Sequence, residues 1–246
     1  MKKTRRLLAV ATATHGIKRG FGTILAIVCI AAATLVPAPA ASAANDYGSL
    51  TARWWQWVYS QPAVDIGGTN TNPVLDSTGA YATAGQADGI GPANKFFFLT
   101  GTFGGNAERA VTVPEGKALF FPIFNAEADN ALPTPTNNRV PQLKAIAKGQ
   151  IDAATEWGAT LDGKAVTVFR STSPTFQYTV PDENSIYDYF DSVGPQFEGT
   201  IKPAVADGYW AYIPPPSPGN YLLNFHSTAP GFSLDVTYNL TVDSSA

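Results

Sequence analysis

The side chains best placed for chemistry lie in the stretch N-A-E-A-D-N, where Asn125, Glu127, Asp129 and Asn130 bring four oxygen-bearing groups together. Two carboxyls at i and i+2 can divide acid and base roles on a glycosidic bond. Asn125, Glu127 and Asp129 also stand at i, i+2, i+4, the opening rhythm of an oxygen-ligated calcium loop. An EF-hand is excluded, because Asn130 sits where that loop needs Gly and Thr136 where it needs a bidentate Glu. A simpler calcium site from Asn125, Glu127 and Asp129 stays open, and no other cofactor is expected. His226 is the remaining titratable candidate, a base for a hydrolase or lyase beside Glu127 and Asp129. Tyr221, Leu223 and Phe225 define one face of its strand, so His226 takes the other, where Asp235 can pair with it. No G-x-S-x-G elbow is present, so a Ser-His-Asp triad is not expected. The plainer readings are a solvated acidic loop and a structural His–Asp pair.

The elements around these residues read as follows. Arg109 to Phe124 is expected to form a hairpin, with turn chemistry at Pro114-Glu115-Gly116-Lys117 and a continuous apolar run from Ala118 to Phe124. The acidic loop then starts at Asn125. Upstream, Ser49 to Tyr59 is an expected helix capped by Ser49 and ended by Pro62, with Trp54 and Trp57 on the core and Trp55 on the flank. Gly67 to Asn94 reads as loop, with one ordered turn at Asn72–Asp76, and Lys95 to Phe103 as a strand. Downstream, Val140-Pro141 opens a second helix with an apolar stripe of Leu143, Ile146, Ala147, Ile151, Ala154 and Trp157 and Gly158 just past its end. Asp162-Gly163 is a two-residue hairpin signal. The string G-x-x-x-x-G-K at Gly158–Lys164 is not a phosphate loop, since Ala165 replaces the needed Ser/Thr. Thr175–Val180, Gly208–Ile213, Tyr221–Ser227 and Phe232–Val242 are expected strands, the last in strict alternation. Asp182 to Glu198 is an acidic, aromatic excursion read as a solvated loop. Pro216 to Tyr221 has the character of a turn joining two sheets. Together these elements predict a mainly β fold, a β-sandwich of Ig-like or jelly-roll type with two peripheral α-helices.

Residues 1–43 are set apart from that domain as a signal peptide. Lys2, Lys3, Arg5, Arg6, Lys18 and Arg19 form a basic region without acidic residues, Phe21–Val36 is apolar, and Ala41-Ser42-Ala43 is a cleavage pattern. The apolar segment is too short and too rich in Ala and Thr for a membrane anchor. Thr4-Arg5-Arg6-Leu7-Leu8 has a twin-arginine look, although the general secretory route fits equally. The expected location is extracellular, with residues 44–246 as one domain. Of the 16 basic and 19 acidic residues, six basic ones leave with the leader, so the remainder carries 10 against 19, a net charge near −9. Nucleic acid and anionic membrane are therefore not expected partners. Cys29 and His15 also lie in the leader, which leaves no Cys and a single His. That excludes disulfides, cysteine nucleophiles, Fe–S clusters and any two-histidine metal site within one chain.

The blocks W-W-Q-W, Gly85-Gln86, F-F-L-T-G-T, V-P-E-G-K-A-L-F-F-P-I-F-N and D-V-T-Y-N-L-T-V resemble those of a group of secreted bacterial proteins without established function. The resemblance implies secretion and a single domain, and it transfers no activity. From the residues themselves, the leading expectation is recognition of an extracellular ligand, above all a carbohydrate. An exposed supply of aromatic rings and carboxamides motivates it: Trp55, Tyr187, Tyr189, Trp210, Asn125 and Asn130. A carboxylate-dependent glycoside hydrolase or polysaccharide lyase is the first alternative, and a structural or interaction protein of the cell envelope the second.

Overall fold

Two kinds of strand sort themselves into two sheets. Strands that alternate buried and exposed residues build a sheet with one wet face: β2 (Gly105–Pro114), β4 (Glu156–Leu161), β5 (Lys164–Ala165), β9 (Gly219–Ala229) and β10 (Phe232–Asp243), in the order β2-β10-β9-β4-β5. In β10 the residues Leu234, Val236, Tyr238, Leu240 and Val242 are buried, as their alternation predicts. Strands apolar on both faces lie in the middle layer. They are β1 (Phe96–Phe98), β3 (Ala118–Ala128) and the second half of β8 (Gly199–Ile213); the more polar β6 (Val168–Thr172) completes the order β1-β3-β8-β6 at the edge, and β7 (Phe176–Val180) pairs with the start of β8. The chain is a β-sandwich, and helices α1 (Tyr47–Ser60) and α2 (Val140–Ile151) cover it peripherally, with a short α3 (Ile186–Phe190) at one end.

The computed structural model describes residues 46–65, 68–86, 89–131, 137–190 and 199–244, and Ala44–Ala246 form one compact unit. The expected leader, together with Thr136, Asp191 and Glu198, lies outside the described residues. Among the described residues, no helix is long and apolar enough to cross a membrane.

Three apolar layers follow from this order. Leu119, Phe121 and Ile123 of β3 meet Leu223, Phe225, Val236 and Tyr238 between the two sheets. Phe120 and Trp210 face the opposite way and pack under Leu50, Trp54, Trp57 and Val58 of α1. Leu143 and Ala147 of α2 close over Ala128 and Val205, with Val140 against them. A buried guanidinium ties the sandwich to the preceding loop. Arg109 is 1 % exposed, and it donates to the backbone oxygens of Asp76, Thr100 and Gly101 at 2.6–3.0 Å and to Tyr238 Oη at 2.7 Å.

Several local expectations change. β2 and β3 are not a hairpin: β2 pairs in parallel with β10 and β3 in parallel with β1, so Pro114–Lys117 carries the chain from one sheet to the other. The polarity difference between the strands is the cause, because β2 needs a wet face and β3 needs none. Helix α1 is capped by Asp46, whose carboxylate accepts from the backbone N–H of Ser49 at 3.1 Å. The capping hydrogen bonds hold that carboxyl below the usual range. Helix α2 ends at Ile151, leaving Ile146 exposed, and Trp157 and Gly158 are drawn into β4 by pairing with Ser227 and His226 of β9. The strand expected from Lys95 shortens to Phe96–Phe98. The Asp162-Gly163 turn forms as expected, with Thr160 opposite Ala165 and both turn residues at positive φ. Pro214–Pro218 does join the two sheets, from β8 to β9.

Candidate functional site

The residues Asn125 to Ala128 are strand, not loop, because β3 runs on to Ala128 against β8. A register shift between Pro122 and Phe124 then decides which way they point. Before it, Leu119, Phe121 and Ile123 face the second sheet. A β-bulge adds one residue and reverses inside and outside beyond it. Phe124 accordingly meets Phe232 of β10 at 5.4 Å between ring centres, while Asn125 and Glu127 turn to the side covered by α1. Asp129 follows at the strand exit on that same side.

Neighbouring elements supply aromatic rings around these three side chains. Tyr59 Oη of α1 donates to Glu127 Oε2 at 3.4 Å. Tyr187 Oη of α3 donates to Asp129 Oδ2 at 3.1 Å, and Tyr178 Oη of β7 hydrogen-bonds both that same oxygen and the Tyr187 hydroxyl. Asp129 Oδ1 accepts the backbone N–H of Ala131 at 2.7 Å. The rings of Tyr59 and Tyr178 stack at 4.3 Å, and Trp55 lies against Tyr59 at 5.2 Å. Opposite β3, strand β8 presents Ala204, Ala206 and Gly208 toward α1, with Glu127 paired to Ala206 and Asn125 to Gly208. Gly208 is required here. A Cβ on it would lie 2.8 Å from Asn125 Cβ, 2.8 Å from Trp210 Nε1 and 2.9 Å from the Phe124 carbonyl oxygen.

Burial pushes the Glu127 carboxyl well above the usual range, reinforced by the Asp129 charge and a hydrogen bond with Asp129, and opposed only by the Tyr59 hydroxyl. Glu127 Oε1 is shielded from solvent and receives no donor. Two carboxyls share a hydrogen bond only when one of them carries a proton, and the upward shift of Glu127 makes it the one that does. Burial first, and then the two neighbouring carboxyls and phenols, push Tyr59, Tyr178 and Tyr187 up as well, so all three phenols stay neutral donors.

Three further polar atoms in this region are buried and unpartnered: Trp55 Nε1, Trp210 Nε1 and Asn125 Nδ2. They are not alike in origin, since Trp55 comes from α1, Trp210 from β8 and Asn125 from β3. They are alike in chemistry, because each can only donate. Elsewhere the tryptophans of α1 are satisfied: Trp54 Nε1 donates to the Leu99 carbonyl oxygen at 2.9 Å and Trp57 Nε1 to that of Ala84 at 2.7 Å. A buried donor without a partner costs about 1–3 kcal/mol unless a water or another group satisfies it.

The expected site residues divide. Glu127, Asp129, Asn125, Tyr187, Trp55 and Trp210 come together, although Trp55 is 6 % exposed and Trp210 fully buried, so neither is the exposed platform expected of it. Trp55 and Tyr59, one turn apart, share a face of α1 and are both buried. Asn130 is taken up structurally, exchanging two hydrogen bonds with the backbone of Asn138 at 2.9–3.0 Å. Tyr189 stands exposed on α3 against Phe190. His226 does not join the carboxyls. It lies on the outer face of the second sheet over Gly158, with Nε2 3.8 Å from Glu156 Oε1, so both sheets separate it from Glu127. Asp235 does stand opposite it in register, yet its carboxylate accepts the Asn224 amide at 2.7 Å instead. Among the described residues, no three His, Cys, Asp or Glu side chains gather to hold a metal ion.

Tyr59 and Tyr178 were not singled out by sequence. Each carried a signal: Tyr59 follows Trp55 at i+4 on one helical face, and Tyr178 shares the inward face of β7 with Phe176 and Val180. No protein-family model, curated protein or solved structure matches the chain.

Proposed function

We propose that this protein is an extracellular recognition domain that binds a saccharide unit of a glycan at the junction of α1, β3 and β8. The observation that supports this reading most is the set of three buried, unpartnered donors, Trp55 Nε1, Trp210 Nε1 and Asn125 Nδ2, held beside aromatic rings. Aromatic surface with a few fixed hydrogen-bonding groups is the usual makeup of a small-molecule site. Glu127 and Asp129 then act as the rigid floor: the Glu127 proton is committed to Asp129, and Tyr178, Tyr187 and Ala131 occupy the rest of that carboxylate. The same occupancy disfavours Ca²⁺, which needs several free anionic oxygens. The leader expected from the sequence and the acidic balance of residues 44–246 support an extracellular ligand that is neither nucleic acid nor membrane.

One observation favours a second reading, a glycoside hydrolase: a glutamic acid held protonated beside a second carboxyl is the form a general acid takes. Incubation with insoluble glycans separates the two. The binder is retained without releasing new reducing ends, loses retention in Asn125→Leu and Trp55→Phe, and keeps it in His226→Ala. New reducing ends from the wild type, abolished in Glu127→Gln, would establish the hydrolase instead.

A further inference from the structure

We infer that the outer face of the second sheet carries a separate binding site for a neutral saccharide unit, centred on Leu222. This site shares the ligand class of the glycan reading above and none of its residues. It is an open depression of about 570 Å³, within the size range of small-molecule sites. Strands β2, β10 and β9 and the Asp162-Gly163 turn meet there. Strand register sets what lines it. Thr112, Thr241 and Asn220 stand abreast on β2, β10 and β9, and Ala110, Asn239 and Leu222 form the next row on the same face. Leu222 is 50 % exposed among polar and small neighbours, while Leu223 beside it is fully buried and supplies the core contact of β9. The turn holds Leu222 from both sides: the Asp162 N–H donates to the Leu222 carbonyl oxygen, and Asp162 Oδ1 accepts the Leu222 N–H, each at 2.8 Å.

The two carboxamides are oriented in opposite senses. Asn239 Nδ2 donates to Glu108 Oε1 at 3.1 Å, which leaves the Asn239 carbonyl oxygen as an acceptor. Asn220 Oδ1 accepts the Thr241 hydroxyl at 3.0 Å, which leaves the Asn220 amide as a donor. A sugar hydroxyl needs an acceptor for its hydrogen and a donor for its oxygen. The depression offers both, beside an aliphatic surface that suits the C–H side of a pyranose ring. An acidic sugar fits less well. It would meet the Asp162 and Glu108 carboxylates, and among the described residues lining the depression none is Lys or Arg. A peptide strand is also disfavoured, because β9 and β10 are paired along both edges and offer a guest no backbone.

The test is a ¹⁵N–¹H titration with cellohexaose, xylohexaose, mannohexaose, hexagalacturonate and hexalysine. The proteins are the wild type, Asn125→Leu, Leu222→Glu and Asn220→Ala. At least one neutral hexasaccharide should shift the Leu222 backbone N–H and the Asn220 side-chain amide. That response should persist in Asn125→Leu, which alters only the junction of α1, β3 and β8. Affinity read at these signals should fall roughly tenfold in Leu222→Glu and Asn220→Ala, both changes at exposed positions that leave Tm nearly unchanged. The inference is overturned if no neutral sugar moves these signals, if hexagalacturonate or hexalysine moves them as strongly, or if both variants bind as the wild type does. Loss of the response in Asn125→Leu also overturns it, since the two sites would then not be separate. Shifts at Leu222 with Trp55 and Trp210 unmoved support this site and overturn the placement of a glycan at the junction. Retention on insoluble glycans that is lost in Asn125→Leu, with Leu222 silent throughout, leaves the junction standing and overturns the second site.

Discussion

At the scale of single residues, the Glu127–Asp129 pair sets the electrostatics of the site. A carboxyl whose pKa rises on folding keeps its proton in the native state while the unfolded chain releases it. The native state then binds more protons, and stability falls as pH climbs from the ordinary glutamate value of 4.5 toward the raised native one. The slope in that window reaches about 1.4 kcal/mol per pH unit. Glu127→Gln keeps a neutral donor for Asp129 and removes the titration. Urea denaturation near pH 4.5 and pH 7.5 should therefore show the variant gaining on the wild type as pH rises. A difference that stays constant between the two conditions would mean that Glu127 is ionised in the fold. The identity of this pair was legible in the sequence, because two acids and an asparagine at alternate positions announce themselves. The role of His226 was not, because only the stacking of two sheets reveals that it faces the opposite surface.

Elements place those residues, and here the deciding feature is the bulge in β3. Without the shift between Pro122 and Phe124, Asn125 and Glu127 would point between the sheets and Phe124 toward α1. Strand β8 answers with small residues at Ala204, Ala206 and Gly208. Gly208→Ala forces a Cβ to within 2.8 Å of both Asn125 Cβ and Trp210 Nε1, so it should destabilise the protein by about 1–3 kcal/mol in chemical denaturation. A neutral outcome would show that the wall is looser than described. Local chemistry explains what could be read at this scale. The alternation of β10 and the Asp162-Gly163 turn depend on adjacent residues and were legible. The bulge depends on how β3 meets β8 across the sheet, and nothing adjacent in the chain encodes it. The end of α2 was obscured in the same way, since pairing with β9 overrides the helical periodicity that continues to Trp157.

For the whole molecule, the order helix, middle sheet, outer sheet makes the site a feature of the buried layer and not of the wet face. Apolar burial on both sides of β3 and β8, with the Arg109 network at the β2 edge of the outer sheet, holds the fold without disulfides. The mainly β class and the peripheral helices followed from strand patterning and turn residues. The partition of β2 and β3 between sheets was encoded in their contrasting polarity, although the turn between them imitates a hairpin. The central claim is that the unpartnered donors receive a ligand, and the five tryptophan indole N–H signals test it directly. In a ¹⁵N–¹H spectrum, adding a soluble oligosaccharide of the glycan that retains the protein should shift the Nε1–H resonances of Trp55 and Trp210. Those of Trp54 and Trp57, already bonded to backbone carbonyls, should stay in place, as should that of Trp157 on the other sheet. Trp55 and Trp210 signals that do not move, while Trp157 or no tryptophan responds to the bound sugar, would contradict the account.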